Sequence, residues 1–455
     1  MVAVNDDRGD GTLNSAIAFM VEVSGTYPLV VSRYDGSVTT GSFEVVVQTV
    51  DVSIVDQIEQ ESTQVVSLSG PVEVIETNHF RIHYTLAGTD ATTPEYVRAF
   101  AETLEEMYDV QINQLGWAAP PTGPDGMYDA YLADVIGTER GALGYARPLS
   151  LIGDNPNSPL IERNAADSVL VVDNDYYIEG ANINPQALMR ATTSHEFNHM
   201  VQFGYDAEES FFWLFEATAT WMETVSVGDE QDATGYIDQN NQYPELCFAT
   251  AEQDGGLAYG DWTFLESMAD RHGETFVRRL WENAIEHEGM TILDETLSEV
   301  GETLSEAAAI WRAQNLAMDY DLAALFPRPV WLENTIRSFG SWTYTGAGVQ
   351  ELGANYFDLR VEGAVSLSLN GTDNLELWVI GIDGDRADVT LLGAGGTVDL
   401  TGYDHRYVMV FYKETPRDIE SCDYLDYTID VTEGVAANII APTINFNAAN
   451  FQALR

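Results

Sequence analysis

A chain of 455 residues that is 45% apolar has room for two or three domains, each with a sizeable core. Its 73 acidic residues against 20 basic ones give a formal charge of −53, which excludes nucleic acid and anionic membrane as natural partners. No apolar run approaches the roughly 18 residues needed to span a bilayer, so no membrane span is expected. Lys413 is the only lysine among the basic residues. That surface suits concentrated salt, where the Debye length falls to about 3 Å and self-repulsion is screened, and the chain reads as halophilic, the alternative being a merely acidic marine or secreted protein. Two cysteines, Cys247 and Cys422, are too few for a disulfide framework, and whether they pair is left open.

From the N-terminus, Phe19-Met20-Val21-Glu22-Val23, Leu29-Val30-Val31-Ser32 and Phe43-Glu44-Val45-Val46-Val47 alternate between Gly and Asp turns. They predict a partial β-sandwich over residues 1–50, which must pack on the rest of the chain or belong to a truncated domain. Asp6-Asp7-Arg8-Gly9-Asp10-Gly11 has a calcium-like composition without the ligand order or closing glutamate of an EF-hand. Ca2+ is therefore only a secondary cofactor expectation. Residues 51–76 read as a polar linker. A strand at residues 80–86 and a helix over 94–114 capped by Thr93 follow, and Ser168-Val169-Leu170-Val171-Val172-Asp173 predicts a further strand.

The segment Thr193-Ser194-His195-Glu196-Phe197-Asn198-His199-Met200 carries the clearest chemistry. Asn184-Pro185 supplies a cap and a first-turn proline, and Leu188, Thr192, His195 and His199 then share one helix face. At about 3.6 residues per turn, His195 and His199 can share one metal ion, while Glu196 stands beside it as a general base for metal-activated water. A catalytic zinc site needs a third protein ligand. After the polar break Asp206-Ala207-Glu208-Glu209-Ser210, with Ser210 as the expected cap, residues 211–223 read as a mostly buried helix. A glutamate there is costly to bury unless it is paired or binds a metal. Glu216 is the preferred ligand, and Glu223, seven residues on, is its competitor, a partner behind the ligands or simply a solvated carboxylate at the helix end.

Ser194-His195-Glu196-Phe197-Asn198-His199-Met200-Val201-Gln202-Phe203-Gly204-Tyr205-Asp206 with Glu216-Ala217-Thr218-Ala219-Thr220-Trp221-Met222-Glu223 resembles the gluzincin metallopeptidases. More narrowly, with His79-Phe80-Arg81-Ile82-His83-Tyr84, Leu115-Gly116-Trp117, Tyr128-Asp129-Ala130-Tyr131-Leu132 and Val172-Asp173-Asn174-Asp175-Tyr176, it resembles a family of secreted metalloproteases first described from myxobacteria. The resemblance covers roughly residues 77–320. It implies zinc held by His195, His199 and Glu216, and Glu196 as base. The His199-to-Glu216 gap is at the short end for gluzincins. Tyr259, in Gly256-Leu257-Ala258-Tyr259-Gly260-Asp261-Trp262, resembles a tyrosine that donates to the oxyanion in related peptidases. The strand at 168–173 corresponds to the zincin edge strand that pairs with extended substrate. Residues 1–50, through Asn5-Asp6-Asp7, Leu13-Asn14-Ser15, Gly25-Thr26-Tyr27 and Gly41-Ser42-Phe43, resemble part of a bacterial pre-peptidase C-terminal β-sandwich. An extracellular or cell-surface enzyme is implied. Since Met1-Val2-Ala3-Val4-Asn5 is no signal peptide, the natural chain is expected to begin further upstream.

Downstream, residues 263–272, 274–286, 292–300 and 305–317 have helical periodicity, with Gly273, Gly289 and Gly301 at their junctions. From about Pro327 the pattern turns to alternation at 365–369, 375–380, 389–392 and 407–412, which predicts a C-terminal β-sandwich of accessory role. The expectation is a multidomain α+β protein. A zincin-like catalytic domain of mixed sheet and helical lower half (77–326) is flanked by β-sandwich modules at 1–50 and 327–436, with 51–76 as linker and 437–455 as tail. Its expected function is a secreted zinc endopeptidase acting on protein or peptide substrates, with oligomeric state open. The competing readings are a catalytically silent zincin-fold binding protein and a zinc hydrolase with a non-peptide substrate.

Overall fold

The computed structural model describes residues 66–451, apart from residue 124 and residues 139–141, 178–183, 229–231, 251–255, 417–418, 420–421 and 436–438. The expected strands of residues 1–50, the Asp-rich turn at 6–11 and most of the 51–76 linker lie outside the described residues. What is described is an α+β protein.

Its first sheet has the order β1-β2-β3-β5-β4, with β1 at Val72–Glu76, β2 at Phe80–Thr85, β3 at Tyr128–Ala133, β4 at Gly144–Gly153 and β5 at Ala165–Asp173. β2, β3 and β5 run parallel, and the two end strands are antiparallel. A parallel β2 to β3 step needs a crossover. Helix α1, Pro94–Tyr108, supplies it and continues as a π-helical stretch, Asp109–Gln114. As expected from Thr93-Pro94, the Thr93 side chain accepts from the Tyr96 N–H. The apolar side of α1, Val97, Phe100, Leu104 and Met107, shares one core with Phe80 and Ile82 of β2.

Two expectations change here. Val72–Glu76 is a strand paired with β2, so the end of the expected linker is part of this sheet. β5 is hydrogen-bonded on both sides, to β3 and to β4. Its nine residues are nearly all buried, and it cannot be the edge that pairs with a substrate; the end strand is β4.

Helix α2, Pro185–Phe203, follows β5, with the Asn184 side chain accepting from the Gln186 N–H. Helix α3 is Phe212–Val227. Ser210 does not cap it: Glu209 Oε1 accepts from the Ser210 and Phe211 N–H groups, both at 2.8 Å. Helices α4 (Ala233–Gln242), α5 (Gly256–Gly260), α6 (Trp262–His272), α7 (Thr275–Ala284), α8 (Met290–Val300) and α9 (Leu304–Ala317) complete the helical half.

The C-terminal strands form two sheets. The larger has the order β15-β11-β10-β13-β8-β6 and the smaller β12-β9-β14-β7. Their ranges are Asn334–Ile336 (β6), Gly340–Trp342 (β7), Ala354–Leu359 (β8), Ala364–Asn370 (β9), Leu375–Asp383 (β10), Arg386–Gly393 (β11), Gly395–Asp399 (β12), His405–Tyr412 (β13), Thr428–Glu433 (β14) and Ile444–Asn447 (β15). Leu377, Val379, Val408 and Val410 of the larger sheet pack with Leu367, Ile429 and Val431 of the smaller one. The alternate residues Trp378, Ile380, Tyr407, Met409 and Phe411 belong to the same core as the helices. Alternation along β10 and β13 therefore separates two interiors rather than an interior from solvent. The expected tail also contributes, since β15 pairs with β11. Cys247, after α4, is disulfide-bonded to Cys422, between β13 and β14, with Cα atoms 6.2 Å apart.

Candidate metal centre

One turn of α2 separates His195 from His199, whose ring centroids are 4.7 Å apart. α3 brings Glu216 to them: its Oε2 lies 3.2 Å from His195 Nε2 and 3.7 Å from His199 Nε2. The donor atoms of the three residues all lie within 4.8 Å of one another. The approach is possible because α3 presents Ala217, Ala219 and Thr220, all fully buried, around the glutamate. Two imidazole nitrogens and one carboxylate are the ligand set of a catalytic zinc site with a position to spare.

Each imidazole is oriented from behind. His195 Nδ1 pairs with Glu223 Oε1 at 2.8 Å, and His199 Nδ1 with Gln202 Oε1 at 2.7 Å. With both Nδ1 atoms facing acceptors, both Nε2 lone pairs are left for the point that Glu216 also faces. Gln202 is itself fixed, because its Nε2 donates to Asn198 Oδ1 at 2.7 Å, Thr218 Oγ1 at 2.6 Å and the Phe215 carbonyl at 3.1 Å. Glu223, the competing ligand, thus stands behind His195 and outside the donor set.

Glu196 turns towards β4. The Ala146 N–H donates to its carboxyl group, and Oε2 is buried with no partner among the described residues. A Cβ at residue 144 would stand 2.8 Å from Thr192 Cγ2 and 3.1 Å from Glu196 Cγ, so Gly144 lets the strand lie close against the helix. Burial raises the Glu196 carboxyl above the ordinary glutamate range, against the pull of His199 and His195. Glu216 is also buried, but the two imidazoles hold it well below that range. For His195, burial opposes the charged form, yet the Glu216 and Glu196 carboxylates raise its proton affinity. Burial and the neighbouring Asp232 carboxylate push Glu223 well upward. The two Nε2 atoms and the Glu216 carboxylate are thus acceptors that meet at one point, which is what a cation requires.

Tyr259, on α5, stacks on His195 with ring centroids 5.9 Å apart. Its hydroxyl reaches Glu216, and burial followed by that carboxylate raises its pKa well above the ordinary tyrosine value. The structure thus brings together His195, Glu196, His199, Glu216 and Tyr259. It adds three features that sequence reasoning missed. Gln202 carried a signal, a polar residue on the buried face three positions after His199. Tyr236 of α4, 5.0 Å from Tyr259, sits in a polar helix without clear periodicity. β4, with Pro148 inside it, does not read as a strand. The second group with metal-like spacing, Cys247, Glu351 and Cys422, has both thiols consumed in the disulfide.

A family model described as a family of unknown function, DUF6055, matches residues 89–324, which takes in every element of this site. No curated protein matches the chain.

Proposed function

Because the chain belongs to DUF6055, to which no activity is attached, we propose its function from the site itself: a zinc-dependent endopeptidase of gluzincin type. The observation that carries this reading is the convergence of His195 Nε2, His199 Nε2 and Glu216 Oε2 beside the buried, unpartnered Oε2 of Glu196. A buried acceptor left without a donor costs about 1–3 kcal/mol. A scaffold that only kept the fold would gain nothing from it, whereas a proton acceptor next to a cation site needs it.

Bound zinc would supply Lewis-acid polarisation of a peptide carbonyl and a water acidified towards neutrality. The chain's own groups do the rest. Glu196 takes a proton on Oε2 and passes it to the departing amine; its burial-raised proton affinity suits a group that must hold that proton between the two steps. Tyr259 keeps its proton across the working range and offers the hydroxyl to the developing oxyanion. An extended peptide lies along β4, the end strand of the sheet, where the Ala146 N–H marks the level of Glu196. The disulfide suits an oxidising, extracytoplasmic compartment. The acidic surface suits molar salt.

The test is metal analysis with a peptide-library digest at about 2 M salt, where surface charge is screened. Close to one zinc per chain and internal cleavage are expected. Glu196→Gln should keep the metal and lose at least about 10²–10⁴-fold in turnover. Zinc without cleavage of any peptide would return the protein to the silent or non-peptide readings, and a purified chain that takes up no divalent metal would remove the mechanism.

A further inference from the structure

Tyr259 lies on a helix of little more than one turn, and what holds that turn is a carboxylate two residues on. Asp261 is only 2% exposed. Its Oδ2 accepts from Trp213 Nε1 at 2.9 Å and from the Ala249 N–H at 3.2 Å, and its Oδ1 accepts from Asn240 Nδ2 at 2.6 Å. These donors come from α3, from the segment that follows disulfide-bonded Cys247, and from α4. Asn240 Nδ2 and the Asp261 N–H both also donate to the Leu257 carbonyl, at 3.1 and 3.0 Å, which closes the α5 turn on itself. Trp213 precedes Glu216 by one turn of α3.

The packing around this junction leaves no slack. A Cβ at Gly260 would stand 1.9 Å from Asn240 Oδ1 and 2.7 Å from the Tyr236 carbonyl, and one at Gly256 would stand 2.3 Å from Gln239 Oε1. Gly260 therefore presses the end of α5 against the α4 backbone and has to be glycine, while at Gly256 only the flexible end of Gln239 would have to move. Arg312, 3% exposed, supplies a nearby positive charge while donating to the Leu352 and Leu246 carbonyls.

We infer that Asp261 is a positioning residue: its carboxylate fixes the Tyr259 turn to the Glu216 helix, so that the phenol hydroxyl is held at the donor set. The inference rests on the peptidase reading of the site. It depends on an acid at this position, because all three partners are N–H donors. An isosteric amide would present an NH2 to at least one of them and lose that bond while adding a repulsion. A displacement of about 1 Å in a catalytic group costs on the order of 10²-fold in rate.

The experiment is a double-mutant cycle between Asp261→Asn and Tyr259→Phe, on zinc-loaded protein in high salt. Hydrogen exchange by mass spectrometry is recorded on the same samples. Asp261→Asn alone should lower kcat about 10- to 100-fold, with KM and zinc content within about twofold. In the Tyr259→Phe background it should cost almost nothing further. Trp213→Phe removes the Nε1 donor and also shrinks a fully buried ring, so its stability is measured alongside; it should show the same non-additivity with a smaller loss, and it serves if the Asp261 variant does not fold. Losses that multiply independently, or an Asp261→Asn enzyme with unchanged kcat, would overturn the assignment. If the unaltered protein cleaves no peptide, the peptidase reading fails and exchange decides the positioning claim. Faster exchange over residues 256–262 with 195–203 unchanged upholds it; unchanged exchange over 256–262 refutes it.

Discussion

The metal helix α2 and the central strands β10 and β13 of the larger C-terminal sheet are equally enclosed, yet they are enclosed with different materials. On α2, Thr192, Thr193, Ser194, His195, Glu196, Asn198, His199 and Gln202 are all buried. Most are held by named partners. Thr193 Oγ1 donates to the Met189 carbonyl, Ser194 Oγ to that of Met222, and Asn198 Nδ2 to Gln111 Oε1, whose own amide donates to the Ser194 carbonyl. β10 and β13 bury apolar side chains on both faces instead, one set towards the helices and the other towards the smaller sheet. Burying polar groups gains little net stability even when every bond is made, whereas each fully buried large aliphatic side chain contributes about 1.5–3 kcal/mol. The sheet therefore stabilises the molecule on behalf of a helix whose composition is set by chemistry. This also explains why the C-terminal strands share a core with the helices that carry the site instead of forming a detached module.

The largest effect should come from testing that shared sheet. Leu377→Ala faces the smaller sheet and Ile380→Ala faces the helices, and both positions are 0% exposed. Each should cost about 2–5 kcal/mol. Because the two residues sit on opposite sides of one strand, both should lower the same calorimetric transition. Two resolved transitions, with Ile380→Ala moving one and Leu377→Ala only the other, would break the comparison and restore an independent sandwich.

Residues on the metal helix were legible because coordination imposes a fixed spacing on rare residue types. Asn184-Pro185 marked its start, and two of the chain's seven histidines marked its face. The larger C-terminal strands were legible as alternation, but alternation cannot say what lies on the second face. Trp378 and Ile380, on the face opposite Leu377 and Val379, are buried against the helices. β4 escaped because Pro148 and its exposed apolar half, including Leu149 and Leu151, fit no strand template, although the register with β5 is irregular there for the same reason. Glu223 could be a ligand, a partner behind the ligands or a solvated carboxylate, and the structure buries it, which excludes the last. Choosing between them depends on how α3 lies against α2, a tertiary fact with no local signature. The Cys247–Cys422 bond, spanning 175 residues, was undecidable for the same reason.

A smaller effect is expected behind the ligands. Glu223→Gln replaces the acceptor facing His195 Nδ1 by an amide of the same shape and removes the like-charge contact with the neighbouring Asp232 carboxylate. Metal affinity should fall about 10- to 100-fold, read by competition with a chelator, while the melting temperature of the metal-free protein changes little. If both the metal-free stability and the metal affinity dropped together, Glu223 would be a packing residue like those of the sheet. An unchanged affinity would remove it from the metal centre.

The smallest effect concerns a carboxyl group half-buried among the helices, whose charged neighbours among the described residues are acidic. Glu266 accepts from Trp221 Nε1 at 2.8 Å, and burial, reinforced by Asp270 and Asp321, lifts it from 4.5 to about 7. Glu216 and Glu266 thus answer burial in opposite ways: the first stays ionised between two imidazoles, and the second takes up a proton. Between pH 4.5 and about 7 the folded state binds the extra proton and the unfolded chain does not. Stability associated with Glu266 is therefore fully present below 4.5 and declines as pH rises to about 7, levelling off above it. Glu266→Gln keeps the acceptor for Trp221 and removes the titration. The variant should melt above the parent at pH 8 by an amount equivalent to about 1–2 kcal/mol, with the gap closing towards pH 4. Working at constant high salt leaves the general repulsion of the acidic surface common to both proteins, so the pH dependence of the difference belongs to this one group. A gap that stayed constant across that range would mean that Glu266 is ionised in the fold after all, and that a buried carboxylate here needs no imidazole or metal to remain charged.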